Sequence, residues 1–145
     1  MAITFDIALY QVASPYYVAA LATSTVTGRL LTAHEKLAQR FLLELMTEKG
    51  SMTFDPLRGC DFITRLRSGV VLNEQDVINI FYTALIDITG NLTNEETSND
   101  ETNQRFGGAN INSIAISSGV VTMNISVINV IEEAINLSIP VSLSI

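Results

Sequence analysis

The chain has no tryptophan, a single cysteine, a single histidine and three prolines. One cysteine, Cys60, excludes an internal disulfide, which fits an intracellular product better than a stapled secreted scaffold. One histidine leaves no pair from which a zinc site could be built. Charge is also scarce: 16% of residues are charged, against about 25% in ordinary soluble domains, which favours a subunit that buries surface in an assembly. The 8 basic residues are outnumbered by 15 acidic ones and form no run, so a groove that tracks phosphates is excluded and nucleic acid is not an expected partner. No apolar stretch approaches the ~18–20 residues that span a bilayer. "MAITFDIALY" has no basic region of a secretory leader, so the chain is read as soluble, with no membrane partner.

What is present is patterned. Ile3, Phe5, Ile7 and Leu9 alternate and predict an N-terminal strand, while 16–28 carries no strong period and is left open. "TAHE" at 32–35 has the form of a capping box, Thr32 with Glu35, and Leu37, Phe41 and Leu45 follow at helical spacing up to Lys49-Gly50. Asp55-Pro56 and Gly59 punctuate an ordered loop that leads into a short amphipathic segment, "DFITRLR" (61–67). A second helix is predicted from the N-cap Asn73, with Val77, Phe81, Ala84, Leu85 and Ile88 as its buried stripe and Gly90 as its stop. Residues 91–104 are polar and acidic and predict an exposed loop. Then 111–116, a "SSG" turn and 120–130 predict a hairpin with Val121, Met123, Ile125 and Val127 on one face.

None of the reactive groups falls into a catalytic pattern. His34 sits in the first turn of a capped helix, and Cys60 follows a glycine with only Arg58 as a nearby cation, so both are expected to be structural or solvated. Glu35, Glu44 and Asp55 are nominal carboxylates for glycoside chemistry in ordinary settings. Glu95, Glu96, Asp100 and Glu101 lack the ligand spacing of a calcium loop. "RFGGAN" (105–110) has no strand-to-helix setting for a phosphate loop. No metal and no cofactor is expected.

The last eleven residues, "INLSIPVSLSI", place Ile135, Leu137, Ile139, Val141, Leu143 and Ile145 on one face of a long strand. Such a strand is received either by the chain's own sheet or by another chain. Pro140 favours an edge position, and the preceding hairpin offers few partners of matching length, so augmentation of a second protein's sheet is the expectation.

A helix ending in "LMTEKGS", then "FDPLRGCDF", a second helix, a polar loop with an arginine and three terminal strands resemble the sheath-initiator subunit of contractile phage-tail baseplates, which is related to a baseplate component of type VI secretion machines. The resemblance covers about residues 30–145 and is strongest over 42–62. It implies a structural virion protein rather than an enzyme, despite a lysozyme label sometimes attached to that family. It also implies a tail-baseplate location after assembly in the host cytoplasm, as part of a six-fold ring where tail tube or hub, wedge proteins and the first ring of sheath protein meet. Asp55, Pro56, Arg58, Gly59 and Arg105 are the wedge or tube contacts it implies, and Ile135 to Ile145 the sheath-binding strand. The family's Glu-Pro-Arg motif is reduced here to Arg105 within "NQRF" (103–106).

The expected architecture is an α+β domain, two main helices on a small C-terminal antiparallel sheet with strand-like termini available for pairing between molecules. Residues 1–28 form a strand and arm, and 29–145 the main domain with the exposed acidic loop 91–104. The expected function is to template sheath assembly by β-strand augmentation. The alternatives are a small lysozyme-like cell-wall hydrolase and a homo-oligomeric binding module that swaps its terminal strands.

Overall fold

A computed structural model describes residues 35–143 in full, together with the backbone of 5–7, 11–13, 16–18 and 30–34. Helix α1 (Ala33–Met46) starts where the sequence predicts, directly after Thr32. The Thr32 and His34 side chains lie outside the described residues. Leu37, Ala38, Phe41, Leu42 and Leu45 are all buried, as a helix with one apolar face requires. Helix α2 (Phe62–Leu66) buries Phe62, Ile63 and Leu66, and helix α3 (Glu74–Glu95) carries the long stripe.

Asn73 caps α3 through a reciprocal box: Asp76 N–H donates to Asn73 Oδ1 at 3.1 Å, and Asn73 N–H donates to Asp76 Oδ2 at 3.2 Å. The predicted stop at Gly90 is overrun. Leu92 continues the stripe one turn past Ile88 and is fully buried, and that burial outweighs the roughly 1 kcal/mol that a mid-helix glycine costs. The predicted loop 91–104 shrinks accordingly. Residues 91–95 are helical and Thr102–Gln104 form a single 3-10 turn, which leaves 96–101 as the loop.

Three C-terminal strands, β5 (Phe106–Ser117), β6 (Val120–Asn129) and β7 (Ala134–Ser142), form an antiparallel meander, so the fold is α+β as expected. Ser118 and Gly119 both take positive φ, the requirement of a two-residue hairpin turn. Strand β5 starts well before the predicted 111 because "FGGAN" belongs to it. A Cβ at Gly107 would lie 2.4 Å from Asn129 O, so the register shift between Phe106 and Gly108 needs glycine there. At the β6–β7 turn, buried Asn129 accepts from Glu133 N–H at 2.9 Å and Ile131 N–H at 3.2 Å, which folds the "IEEA" segment back.

Among the described residues the sheet has five strands in the order β2-β3-β7-β6-β5, because β2 (Gln11–Ala13) and β3 (Tyr16–Val18) extend it beyond β7. β3 runs parallel to β7 through Tyr17↔Leu137 and Val18↔Ser138. The N-terminal strand β1 (Phe5–Ile7) pairs instead with β4 (Leu30–Thr32). Residues placed within the expected arm therefore complete the main sheet, which is mixed rather than purely antiparallel. Helices α1 and α3 cover one face of it, burying Val121, Met123, Ile125 and Val127 of β6 against Phe41 and Phe81. The Phe41 and Phe106 rings stack with centroids 5.9 Å apart, and Phe62 meets Phe81 edge-on at 6.2 Å.

Candidate functional site

The terminal strand has a partner at home. β7 pairs with β6 from Ala134 to Ser142 without a break, so the expected shortage of internal partners does not exist. Ile135, Leu137, Ile139 and Val141 are buried in the protein's own core and Leu143 packs half-buried against it. Ile145 lies outside the described residues. These side chains set the register of β7 on β6, since a slip by one residue would bury Asn136, Ser138 and Ser142 instead. β3 reaches only Leu137 and Ser138, and among the described residues no strand flanks the second edge of β7 at 139–141, where Pro140 blunts it.

The long open edge belongs to β5. No strand flanks it among the described residues, and it runs the full length from Phe106 to Ser117. Tyr82 Oη on α3 takes up one edge group by accepting from Ile111 N–H at 3.3 Å. An open groove of about 660 Å³ runs beside this edge, between Tyr82 and Leu85 of α3 and the Gly107–Asn110 backbone.

A second feature is the loop between α1 and α2. Asp55 and Pro56 are exposed on it, in company with Met52, Phe54 and Leu57. Its base is fixed by charges that no local sequence pattern brings together. Glu44 is 2% exposed and forms an ion pair with Arg58, whose other guanidinium nitrogen meets Glu95. Glu44 Oε2 also accepts from Gly59 N–H and Asn91 Nδ2, both at 3.1 Å. Asn91 Nδ2 reaches Gly59 O at 3.2 Å and Leu57 O at 3.3 Å. Gly59 itself takes φ +87°, and a Cβ there would stand 2.3 Å from Thr47 O. Of the expected contact residues, Arg58 and Gly59 thus hold the loop from inside and only Asp55 and Pro56 face outward. Nothing local in the sequence marks Glu44 and Asn91 as its anchors, because the pairing joins α1, α3 and a loop.

The third feature surrounds Arg105. Its backbone carbonyl accepts from Val130 N–H at 3.0 Å, and its side chain lines a small groove with Thr93, Glu96, Thr97, Ser98 and Val130. Arg105 Nε, Gln104 Nε2 and Asn103 Oδ1 are buried and meet no hydrogen-bond partner among the described residues. Both Glu96 carboxylate oxygens accept from Phe106 N–H at 2.8 Å. Burial raises the Glu96 pKa, against the opposing pull of that N–H and of Arg40 and Arg105.

These acids are structural. Glu95 pairs with Arg40 and Arg58, Glu96 ties the start of β5, and Asp100 Oδ2 accepts from Thr97 N–H at 2.8 Å. Among the described residues no cluster of acids, cysteine or histidine could hold a metal. Cys60 is buried, and burial pushes its thiol up to about 11, so it is protonated and unreactive at neutral pH.

The fold is therefore an α+β unit whose two long helices cover one face of a sheet with β5 at its open edge. It is similar to the crystal structure of a protein from Geobacter sulfurreducens provisionally named a tail lysozyme. The two share 18% identity with a TM-score of 0.51, over 82% of this chain and 98% of that one. At this identity the likeness is one of fold. No protein-family model matches the chain, and no curated protein matches it either.

Proposed function

We propose that the chain is a structural component of a contractile phage-tail baseplate that links wedge and tube to the first sheath ring and starts sheath assembly. The observation that carries this reading is the open β5 edge on a fold similar to that of the protein named a tail lysozyme. An incoming strand of the sheath protein would gain main-chain hydrogen bonds along Phe106–Ser117 and seat side chains in the groove beside Tyr82 and Leu85. Augmentation thus moves from the terminal strand to β5, with the edge of β7 at 139–141 as a shorter second site. Arg105 lines the small groove with Glu96 and Val130, where a guanidinium suits a carboxylate or carbonyl of a wedge protein.

Disrupting the gene in the phage that encodes it is expected to give tubes and baseplates without extended sheath, and restoring it in trans to recover the sheath. Normal sheathed tails from the disrupted phage would end the proposal. The neighbour's name also suggests cleavage of peptidoglycan, which calls for two carboxylates facing each other across a cleft. Glu44 is spent on Arg58, Gly59 and Asn91, and Glu96 on Phe106, which disfavours that chemistry. Release of muropeptides by the purified chain would reinstate it.

A further inference from the structure

Two grooves flank the open edge of β5 where it meets α3. One, of about 670 Å³, lies between the start of α3 and Ile116, with Leu72 and Ile78 among its walls. The other is the groove beside Tyr82 and Leu85 at Gly107–Asn110. Helix α3 thus runs back along β5. At ~3.4 Å per residue, Gly108 and Ile116 at the two grooves are roughly 27 Å apart. Between them Ile111 N–H donates to Tyr82 Oη, so this donor points away from β6 and toward the free edge.

The two faces of that edge dictate what can be added to it. On the helix side, Ile111, Ile114 and Ile116 pack against the core yet stay half-exposed, all three sharing a face because the register shifts after Ile111. A further strand completes their burial only if it brings apolar side chains to the same face. The opposite face is polar. Asn112 Nδ2 donates to Ser126 Oγ at 2.7 Å, Ser126 Oγ to Asn136 Oδ1 at 2.6 Å, and Asn124 Nδ2 to Ser113 Oγ at 2.7 Å. A strand that extends this ladder carries serine, threonine or asparagine outward.

Charge distinguishes the ends. Glu74 is the only charged residue lining the first groove and Glu132 the only one lining the second, and neither forms an ion pair among the described residues. Asp76 and Glu133 follow close behind them in the chain and add to the negative charge. Arg67 is held on Ser142 O, two strands across the sheet, and Arg105 lines a separate groove with Glu96. The net charge of -7 acts in the same direction by repelling acidic segments as they approach.

We infer that the strand received at β5 alternates, apolar toward α3 and small and polar outward, with a lysine or arginine near each end to meet Glu74 and Glu132. Main-chain hydrogen bonds supply the affinity, and the two end charges select the segment and fix its placement. This rests on the reading of β5 as the edge that receives the sheath protein.

The probe is a blocked peptide of about ten residues, the length that spans the two grooves, with isoleucine and threonine alternating and lysine at both ends. The control carries glutamate at both ends. Titrated into the isotope-labelled full chain, the lysine peptide is expected to shift the amide resonances of Phe106–Ser117 and to leave those of β7 in place. At low salt it should bind roughly tenfold more tightly than the control, since two exposed ion pairs are exchanged for two repulsions, and high salt should narrow the difference. Glu74→Gln with Glu132→Gln should erase the preference, and Glu74→Lys with Glu132→Lys should reverse it. Equal affinity for the two peptides, a preference untouched by either double variant, or shifts confined to β7 would overturn the inference and leave the sheath reading to its own test in the phage. No binding of either peptide would overturn it together with the use of β5 as a receiving edge.

Discussion

Asn91 Nδ2 lies 3.1 Å from Glu44 Oε2, a contact between residues 47 apart in the sequence, and the same amide holds the carbonyls of Leu57 and Gly59. Helix α3, helix α1 and the loop between α1 and α2 are thereby joined at one buried carboxylate.

Removing that carboxylate should loosen all three. Glu44→Ala leaves the Gly59 N–H and the Asn91 amide without their acceptor and strips Arg58 of its buried partner. Arg58 keeps Glu95 and some solvent contact, so the expected loss is about 2–3 kcal/mol, below the usual range for a fully buried broken pair. A urea titration measures it, and an unchanged midpoint would show that the network contributes no stability.

Two glycines should respond in opposite directions. Gly59→Ala sets a Cβ against Thr47 O at a positive φ and is expected to cost roughly 2–4 kcal/mol. Gly90→Ala meets nothing within 4 Å inside α3 and should stabilise by about 0.5–1 kcal/mol. Thermal melts of the two variants decide both signs.

Glu96 predicts a pH dependence. Its pKa in the folded state is raised above the unfolded value, chiefly by burial, so its contribution to stability is present in acid and is lost as pH rises through the folded pKa. Glu96→Gln keeps an oxygen for Phe106 N–H and removes the cost of ionisation. The variant should melt above the wild type at neutral pH, and the gap should close as the wild-type carboxyl protonates in acid. A constant gap across the titration would contradict this.

Leu137 and Ile139 of β7 are fully buried, so truncation after Asn136 is expected to unfold the chain rather than leave a soluble, sheath-defective protein. Leu137→Ala alone should cost roughly 2–5 kcal/mol. Limited proteolysis of the truncated chain would reveal a surviving domain if the strand were dispensable.

Features whose causes are local were legible in the sequence. Asn73 begins α3 because an N-cap acts within one turn. Phe62 and Leu66 mark α2, and Val121 to Val127 mark the inner face of β6. The sequence misleads where a local signal meets a distant one. Gly90 reads as a stop until Leu92 finds a core to fill, and Gly107 reads as a loop until Asn129 presses against it. The alternation of β7 is the same whether the receiving sheet is internal or foreign, so it does not reveal that β6 receives the strand. Glu44, Arg58 and Asn91 had no sequence signature at all, since burying a carboxylate depends on partners brought together only by tertiary structure.

The pairing of Tyr17 with Leu137 has a consequence for how the chain is made. A parallel contact between positions so distant in sequence closes a large loop, and such closures slow folding. During synthesis β3 is made long before β7, the strand it joins. Until β7 follows, the edge of β3 is unprotected. Hydrogen-exchange pulse labelling during refolding should find amides of the β6–β7 ladder protected before those of β3.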